Sequence, residues 1–175
     1  MSESTPVAAS AGTRVFDTPV GRCAISWRGD RVSRFALPGR GLVDTGDEPP
    51  PWVVRACARV VSVLCGDVRD DLRDLPLDLD AASPFERSIY EVARGIEPGT
   101  TLTYGEVAGR VGAPGAARAV GRALGRNPIP MIVPCHRVLG VGRWIGGFSA
   151  PGGADTKQRL LSIEARHFGD QPGLF

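Results

Sequence analysis

The sequence has no long apolar run. Its uninterrupted hydrophobic stretches fall far short of the roughly 20 residues that a membrane helix needs, and the first twenty residues lack the basic start and apolar core of a secretory signal. Lysine is almost missing, since 20 of the 21 basic residues are arginine. Histidine occurs twice, at His136 and His167, and four cysteines stand without paired spacing. That set excludes a disulfide framework and leaves no ligand set for a structural zinc, so no metal is expected. Reduced thiols fit a cytoplasmic protein. What is present is a chain of 175 residues, 42% hydrophobic and 23% charged. It can bury a real core as one ordinary domain or two small ones, which excludes wholesale disorder.

Acidic residues are missing from one particular place. Between positions 107 and 154 there is no Asp or Glu, but there are six arginines: Arg110, Arg118, Arg122, Arg126, Arg137 and Arg143. Residues 1–82 carry 10 basic and 12 acidic groups, whereas residues 83–175 carry 11 basic and 7 acidic. A basic patch of this kind suits phosphate contacts. It equally describes a solvated, arginine-rich surface, and charge alone does not choose between the two.

Residues 1–12 are small and polar and read as a tail. From Thr13 to Leu37, the runs Cys23–Trp27 and Val32–Leu37 read as strands broken at Gly29 and Asp30. Gly39 to Pro51 reads as a loop. Val53, Val54, Cys57, Val60, Val61 and Leu64 then recur at helical spacing and stop at Gly66. An acidic, leucine-alternating stretch from Asp70 to Asp80 crosses into the second half. There Ser83, Pro84 and Glu86 predict a capped helix start, with Phe85, Ile89 and Val92 on one face and an end near Gly95. Thr103 and Glu106 predict a second capping box, opening a short helix to about Val111. After the turn at Gly112–Gly115, a third helix is expected from Ala116 to about Leu124. Two short helices across a glycine turn match a helix-turn-helix and also a plain helical hairpin. Arg118, Arg122 and Arg126 share one face of the third helix, between Ala116, Ala117, Ala119, Gly121, Ala123 and Gly125. Helical glycines cost about 1 kcal/mol each against alanine. A thin helix of this kind admits close approach, either by a neighbouring helix or by a nucleic-acid groove.

The chemistry concentrates between Asn127 and Val138. A buried extended run from Ile129 to Val133 is expected to deliver Pro134, Cys135, His136 and Arg137 to its end. A lone cysteine is usually a small buried hydrophobe. Adjacent Cys and His side chains on an extended chain point apart, so they cooperate only through a water or a turn. Cys23, Cys57 and Cys65 lie within or beside apolar patterns and read as structural.

The run Pro134-Cys135-His136-Arg137-Val138 resembles the active-site signature of the O6-alkylguanine-DNA alkyltransferases, the methylated-DNA–protein-cysteine methyltransferases. The resemblance is dense from Pro84 to Glu164 and weaker back to about Thr13. It includes Thr103 to Ala108, Gly115 to Gly121, Asn127-Pro128, Gly146 to Ser149, and Lys157 through Leu160 and Leu161 to Glu164. Five blocks stand in order at family-like spacings.

The resemblance implies an α+β fold. A small ribonuclease-H-like N-terminal α/β domain, residues 13–82, would precede a helical catalytic DNA-binding domain with a winged helix-turn-helix, residues 83–166. It implies that the third helix enters the minor groove of double-stranded DNA. Ala117, Ala119 and Gly121 would allow close approach, Arg118 would fill the gap left by the flipped base, and Arg122 and Arg126 would hold phosphates. Cys135 would accept the alkyl group from O6-alkylguanine, and to a lesser degree from O4-methylthymine, in one irreversible turnover without a cofactor. His136 would take the thiol proton through water, Glu164 would orient the imidazole, and Asn127 would hold the active-site turn. Tyr104 would bond the guanine ring, while Val138, Ile145, Gly146 and Ser149 would line the substrate site. The stretch Ala150-Pro151-Gly152-Gly153 is longer than the glycine turn of many relatives and bears on adduct size. A monomer without membrane contact is expected. The end of the chain, 167–175, reads as a tail in which Gln171, Leu174 and Phe175 resemble a peptide that docks on the replication sliding clamp.

Overall fold

The computed structural model describes residues 10–169. The proposed clamp peptide at Gln171, Leu174 and Phe175, and the first nine residues of the expected tail, lie outside the described residues.

Three antiparallel strands open the fold in sequence order: β1 (Ala11–Thr18), β2 (Gly21–Arg28) and β3 (Arg31–Ala36). Gly21 and Gly29 turn the chain with positive φ, at 121° and 63°. The tail was expected to run to residue 12, yet Ala11 and Gly12 pair with Arg28 and Trp27. Gly12 lies under the Trp27 indole, where a Cβ would come within 2.6 Å of a ring carbon. The alternation along β2 and β3 buries Cys23, Ile25, Trp27, Val32 and Phe35 on one face. Against that face packs α1 (Pro51–Cys65), with Val53, Ala56, Val60 and Val63 inward and Gly66 closing it in the left-handed conformation at φ 80°. The period of 3.6 residues in the sequence therefore becomes one buried stripe.

The acidic stretch is laid along β3 rather than left as a connector. Val32 and Leu77 form a parallel bridge, with Val32 N–H donating to Pro76 O at 2.8 Å and Asp78 N–H to Val32 O at 2.7 Å. Its carboxylates meet arginines of the sheet and of α1: Asp78 pairs with Arg28, Asp80 with Arg31, and Asp70 and Asp74 with Arg59.

The second half is helical. α2 (Pro84–Arg94) and α3 (Tyr104–Arg110) both carry the full capping boxes that the sequence predicts, Ser83 with Glu86 and Thr103 with Glu106. The buried side of α2 is Ile89, Tyr90 and Ala93, while Phe85 is exposed and Val92 only half-buried. The face is thus rotated from the expected one, because Tyr90 turns inward to donate to Ala123 O at 2.9 Å. α4 runs from Ala117 to Gly125, one residue later than expected at both ends, and packs on α3 across the glycine turn. α5 (Gly153–Phe168) closes the fold and includes His167 and Phe168, which were expected to begin the tail. The His167 ring fits over Gly66 and the backbone of Phe168 over Gly99, contacts that hold the last turn of the helix. A short parallel pair, β4 (Leu102–Thr103) with β5 (Val138–Leu139), ties the start of α3 to the segment after Cys135. One continuous apolar cluster takes residues from both halves. This is an α+β molecule, and no described helix is long and apolar enough to cross a membrane.

Candidate active site

Cys135 begins a short 3-10 turn, Cys135–Arg137, which follows Pro134 and is buried throughout. The approach to it is not the extended run that the apolar residues Ile129 to Val133 suggest. Met131 has a positive φ of 76°, and Pro130 bridges to Val133, so the chain doubles back before the cysteine. Asn127 holds this loop. Its Nδ2 donates to Val133 O at 2.9 Å, and its Oδ1 accepts from Ile129 N–H at 3.0 Å. Both ends of a seven-residue excursion are thereby fixed by one side chain. Extended neighbours would point apart, but the tight turn lets Cys135, His136 and Arg137 fan out to different surroundings.

His136 is fully buried. Its Nε2 lies 2.8 Å from Glu164 Oε1 on α5, and its Nδ1 has no hydrogen-bond partner among the described residues. If Nε2 carries the hydrogen, Nδ1 is the basic nitrogen. Burial pushes the imidazole pKa below its ordinary value, against the opposing pull of Glu164. Glu164 is also gripped by Arg137, whose Nη2 lies 2.8 Å from Oε1 and whose Nε lies 3.0 Å from each carboxylate oxygen. The remaining Arg137 nitrogen donates to Ile96 O at 2.6 Å. Burial works against the Glu164 charge, but the charge and hydrogen bonds of His136 and Arg137 outweigh it and hold the carboxyl at about 2. The group is therefore a fixed anion at neutral pH.

The thiol itself rests protonated. Burial raises the Cys135 pKa, opposed by a hydrogen bond from Asn127 and by the charge of Lys157. A buried neutral thiol needs a base and a nearby cation to react as thiolate. Lys157, the only lysine in the sequence, supplies the cation. It sits on α5 almost wholly buried; its Nζ donates to Val138 O at 2.7 Å and to the Tyr104 hydroxyl at 3.3 Å. The ammonium also lies 5.6 Å from the centre of the Tyr104 ring and 5.9 Å from that of Phe148. Burial lowers its pKa to about 8, and the Cys135 thiolate works in the opposite direction. Sequence reasoning gave Lys157 no chemical role. Its isolation in a chain that otherwise uses arginine was the available signal, because a compact ammonium fits where a guanidinium would not.

A cavity of about 360 Å³ opens on Cys135 between α3, α4 and the segment before α5, walled by Tyr104, Gly121, Gly125, Phe148, Ser149 and Lys157. Tyr104 is the first residue of α3, and the β4–β5 pair sets it beside Val138. Burial raises the pKa of its phenol, so it stays a hydrogen-bond donor. Ser149 faces the cavity, as does Gly147, but Ile145 and Gly146 do not line it. Val138, also expected to line the site, does not line this cavity either; it is buried, and its carbonyl accepts from Lys157. Gly121 stands against the Tyr104 ring, where a Cβ would meet a ring carbon at 3.9 Å.

Arg118 and Arg122 are exposed on α4 and make no ion pair among the described residues. Arg126 differs: it follows the end of the helix and pairs with Glu86 at 2.8 Å. Ala117 and Ala119 are half-buried. Among the described residues no cluster of His, Cys, Asp and Glu could hold a metal ion.

Known proteins resemble this chain in sequence and fold. The family model for the DNA binding domain of 6-O-methylguanine DNA methyltransferase matches residues 84–166. A methylated-DNA–protein-cysteine methyltransferase of Mycolicibacterium paratuberculosis is 39% identical over 159 residues, spanning 88% of this chain and 92% of that protein. A protein of the same name from Mycobacterium leprae is 37% identical over 156 residues, spanning 86% and 90%. The crystal structure of Mycobacterium tuberculosis OGT in complex with DNA superposes with a TM-score of 0.76 at 33% identity, covering 90% of this chain and 95% of that one.

Proposed function

Since the chain belongs to the methylated-DNA–protein-cysteine methyltransferase family, we propose that Cys135 is the residue that accepts the alkyl group. The protein is a DNA-repair methyltransferase that acts on DNA by alkyl transfer to a cysteine. The observation that carries the assignment is the Cys135 turn itself: a buried thiol facing a cavity, with His136 and Glu164 behind it and Lys157 beside it.

Each residue then has a role set by its chemistry. His136 Nδ1 takes the thiol proton through a water, while Glu164 orients the ring and stabilises the imidazolium. The Lys157 charge favours the thiolate over the thiol. The sulfur attacks the alkyl carbon in line; the S–C bond forms as the C–O6 bond breaks, and the electron pair leaves on the guanine. Tyr104 donates to the purine ring and offsets its charge, Ser149 reaches O6, and the Cys135 and Val138 carbonyls accept from the exocyclic amine. Asn127 keeps the turn in place. A thioether has no easy reverse, so each molecule acts once.

The duplex would meet α4 through its minor groove, with the damaged base flipped into the cavity and Arg118 in its place. Arg122 would hold phosphate, and O4-methylthymine would be a lesser substrate. The protein would act as a cytoplasmic monomer of two domains, 13–82 and 83–166. Docking of Gln171, Leu174 and Phe175 on the sliding clamp also belongs to this reading, and loss of clamp affinity on deletion of residues 171–175 is its test. The central experiment is incubation with duplex DNA carrying O6-methylguanine, followed by mass mapping of the cysteine peptides. A methyl group on Cys135, and none transferred by Cys135→Ser, is the expected result; methylation elsewhere would sink the assignment.

A further inference from the structure

The chamber at Cys135 does not end at the thiol. A second cavity, about 450 Å³, continues from it toward the three-stranded sheet. Gly125, Cys135, Phe148 and Ser149 wall both spaces, so the trough starts at the reacting sulfur. Its walls include the apolar side chains of Phe35, Leu37, Pro130 and Pro151.

The N-terminal half builds the far side. Phe35 N–H donates to Pro128 O at 3.1 Å, which fixes the edge of β3 beside the Asn127 loop. Gly39 touches Pro151 so closely that a Cβ there would lie 2.7 Å from the proline ring. The extra residues after Ser149 are thus used to meet the loop that follows β3. Arg34 and Arg40 line the trough as well, and both are exposed. Neither has an ion-pair partner among the described residues. Arg126, the third arginine there, is held by Glu86. No Asp or Glu lines the trough.

We propose that this trough is a subsite for O6 substituents that are larger than methyl and end in a negative charge, with Arg34 and Arg40 receiving the anion. The inference rests on Cys135 as acceptor. A carboxylate carried on the alkyl carbon would repel an incoming thiolate, and this repulsion disfavours transfer from such adducts. Two arginines without partners beyond the sulfur offset it and draw the carboxylate past the thiol, leaving the methylene in line. For an O6-carboxymethyl adduct, the Cys135 thiolate forms a bond to the methylene carbon as the C–O6 bond breaks. The electron pair leaves on guanine, which takes up a proton, and the product is S-carboxymethylcysteine with its carboxylate in the trough.

The test uses the full chain and duplexes bearing one O6-methyl-, O6-carboxymethyl- or O6-carbamoylmethylguanine, the last being a neutral adduct of matched size. Single-turnover rates are read from the mass of the Cys135 peptide. In Arg34→Ala/Arg40→Ala, the carboxymethyl-to-carbamoylmethyl rate ratio is expected to fall roughly three- to tenfold, the range for partly exposed charge pairs. In Arg34→Glu it should fall further. An unchanged ratio in both variants overturns the proposal. Equal slowing of all three adducts also overturns it, because that pattern marks contacts to DNA phosphate. A wild-type protein that transfers methyl but not carboxymethyl overturns it too. Failure of the wild type to methylate Cys135 from the methyl adduct would instead remove the reading on which the inference stands.

Discussion

Glu164 reaches from α5 to His136 with a single oxygen, Oε1, 2.8 Å from Nε2, and both groups are buried. This contact occupies Nε2 and leaves Nδ1 as the ring nitrogen without a partner among the described residues, and the bond from Arg137 to the same oxygen keeps the carboxylate charged. Substituting Glu164→Gln keeps the shape but removes the charge from beside a buried arginine. Breaking a buried pair by removing one partner costs about 3–5 kcal/mol. The melting temperature should therefore fall, and Cys135 alkylation, followed by peptide mass, should slow at least tenfold in the fraction that remains folded. A Glu164→Gln protein of unchanged melting temperature would contradict the fixed-anion account.

Acid should loosen the fold in two stages. Burial depresses the His136 pKa in the folded chain, so the unfolded chain binds the extra proton. This contribution is present above the unfolded value of about 6.5 and is lost as pH falls through and below it. Glu164, held at about 2, adds stability that is present above about 4.3 and lost as pH drops toward 2. Urea midpoints at pH 7.5, 6, 5 and 4 should decrease at each step. The first decrease should vanish in His136→Gln, provided that this variant folds.

Lys157 is expected to give the alkylation rate a descending limb above about pH 8, where its ammonium loses the proton. Lys157→Met removes both the bond to Val138 O and the charge near the thiol. Transfer should slow by roughly tenfold or more, one pKa unit of thiolate stabilisation being about 1.4 kcal/mol. The limb should disappear from the pH profile. A variant that keeps the limb assigns it to another group.

On DNA, the arginines of α4 should not behave alike. Arg118→Ala and Arg122→Ala should each weaken binding and reduce the salt slope by about 1, as expected when one cation, in the base gap or on a phosphate, is lost from the DNA interface. Arg126→Ala should change the slope less, because its charge is already shared with Glu86. Anisotropy titrations on one duplex across a salt series decide this. Three equal slopes would show that the Glu86 pair opens on binding.

Asn127→Ala removes two bonds that close the loop before the cysteine. A cost of about 1–3 kcal/mol is expected for leaving buried backbone groups unpaired. The alkylation rate should fall by more than the melting curve alone would explain. Equal effects on stability and rate would reduce Asn127 to a purely structural loop residue.

The sequence by itself determined the local features. The two capping boxes, the glycine that ends α1 and the helix pair α3–α4 rest on bonds between residues three or four apart, so their residue types suffice to specify them. The Cys135–His136 pair and its association with Glu164 were legible only through the block pattern, since no local rule joins positions 136 and 164. Tertiary structure decided the rest. It turned the Ile129–Val133 run into a doubled-back loop, because the burial of apolar residues does not distinguish a strand from a buried turn once Met131 takes a positive φ. It brought Lys157 to Tyr104 and Val138, and it laid Gly39 against Pro151. It also consumed Arg126 in a pair with a residue forty positions away. Such contacts depend on where the backbone closes in space, and that is set by the packing of the whole core rather than by any short window of residues.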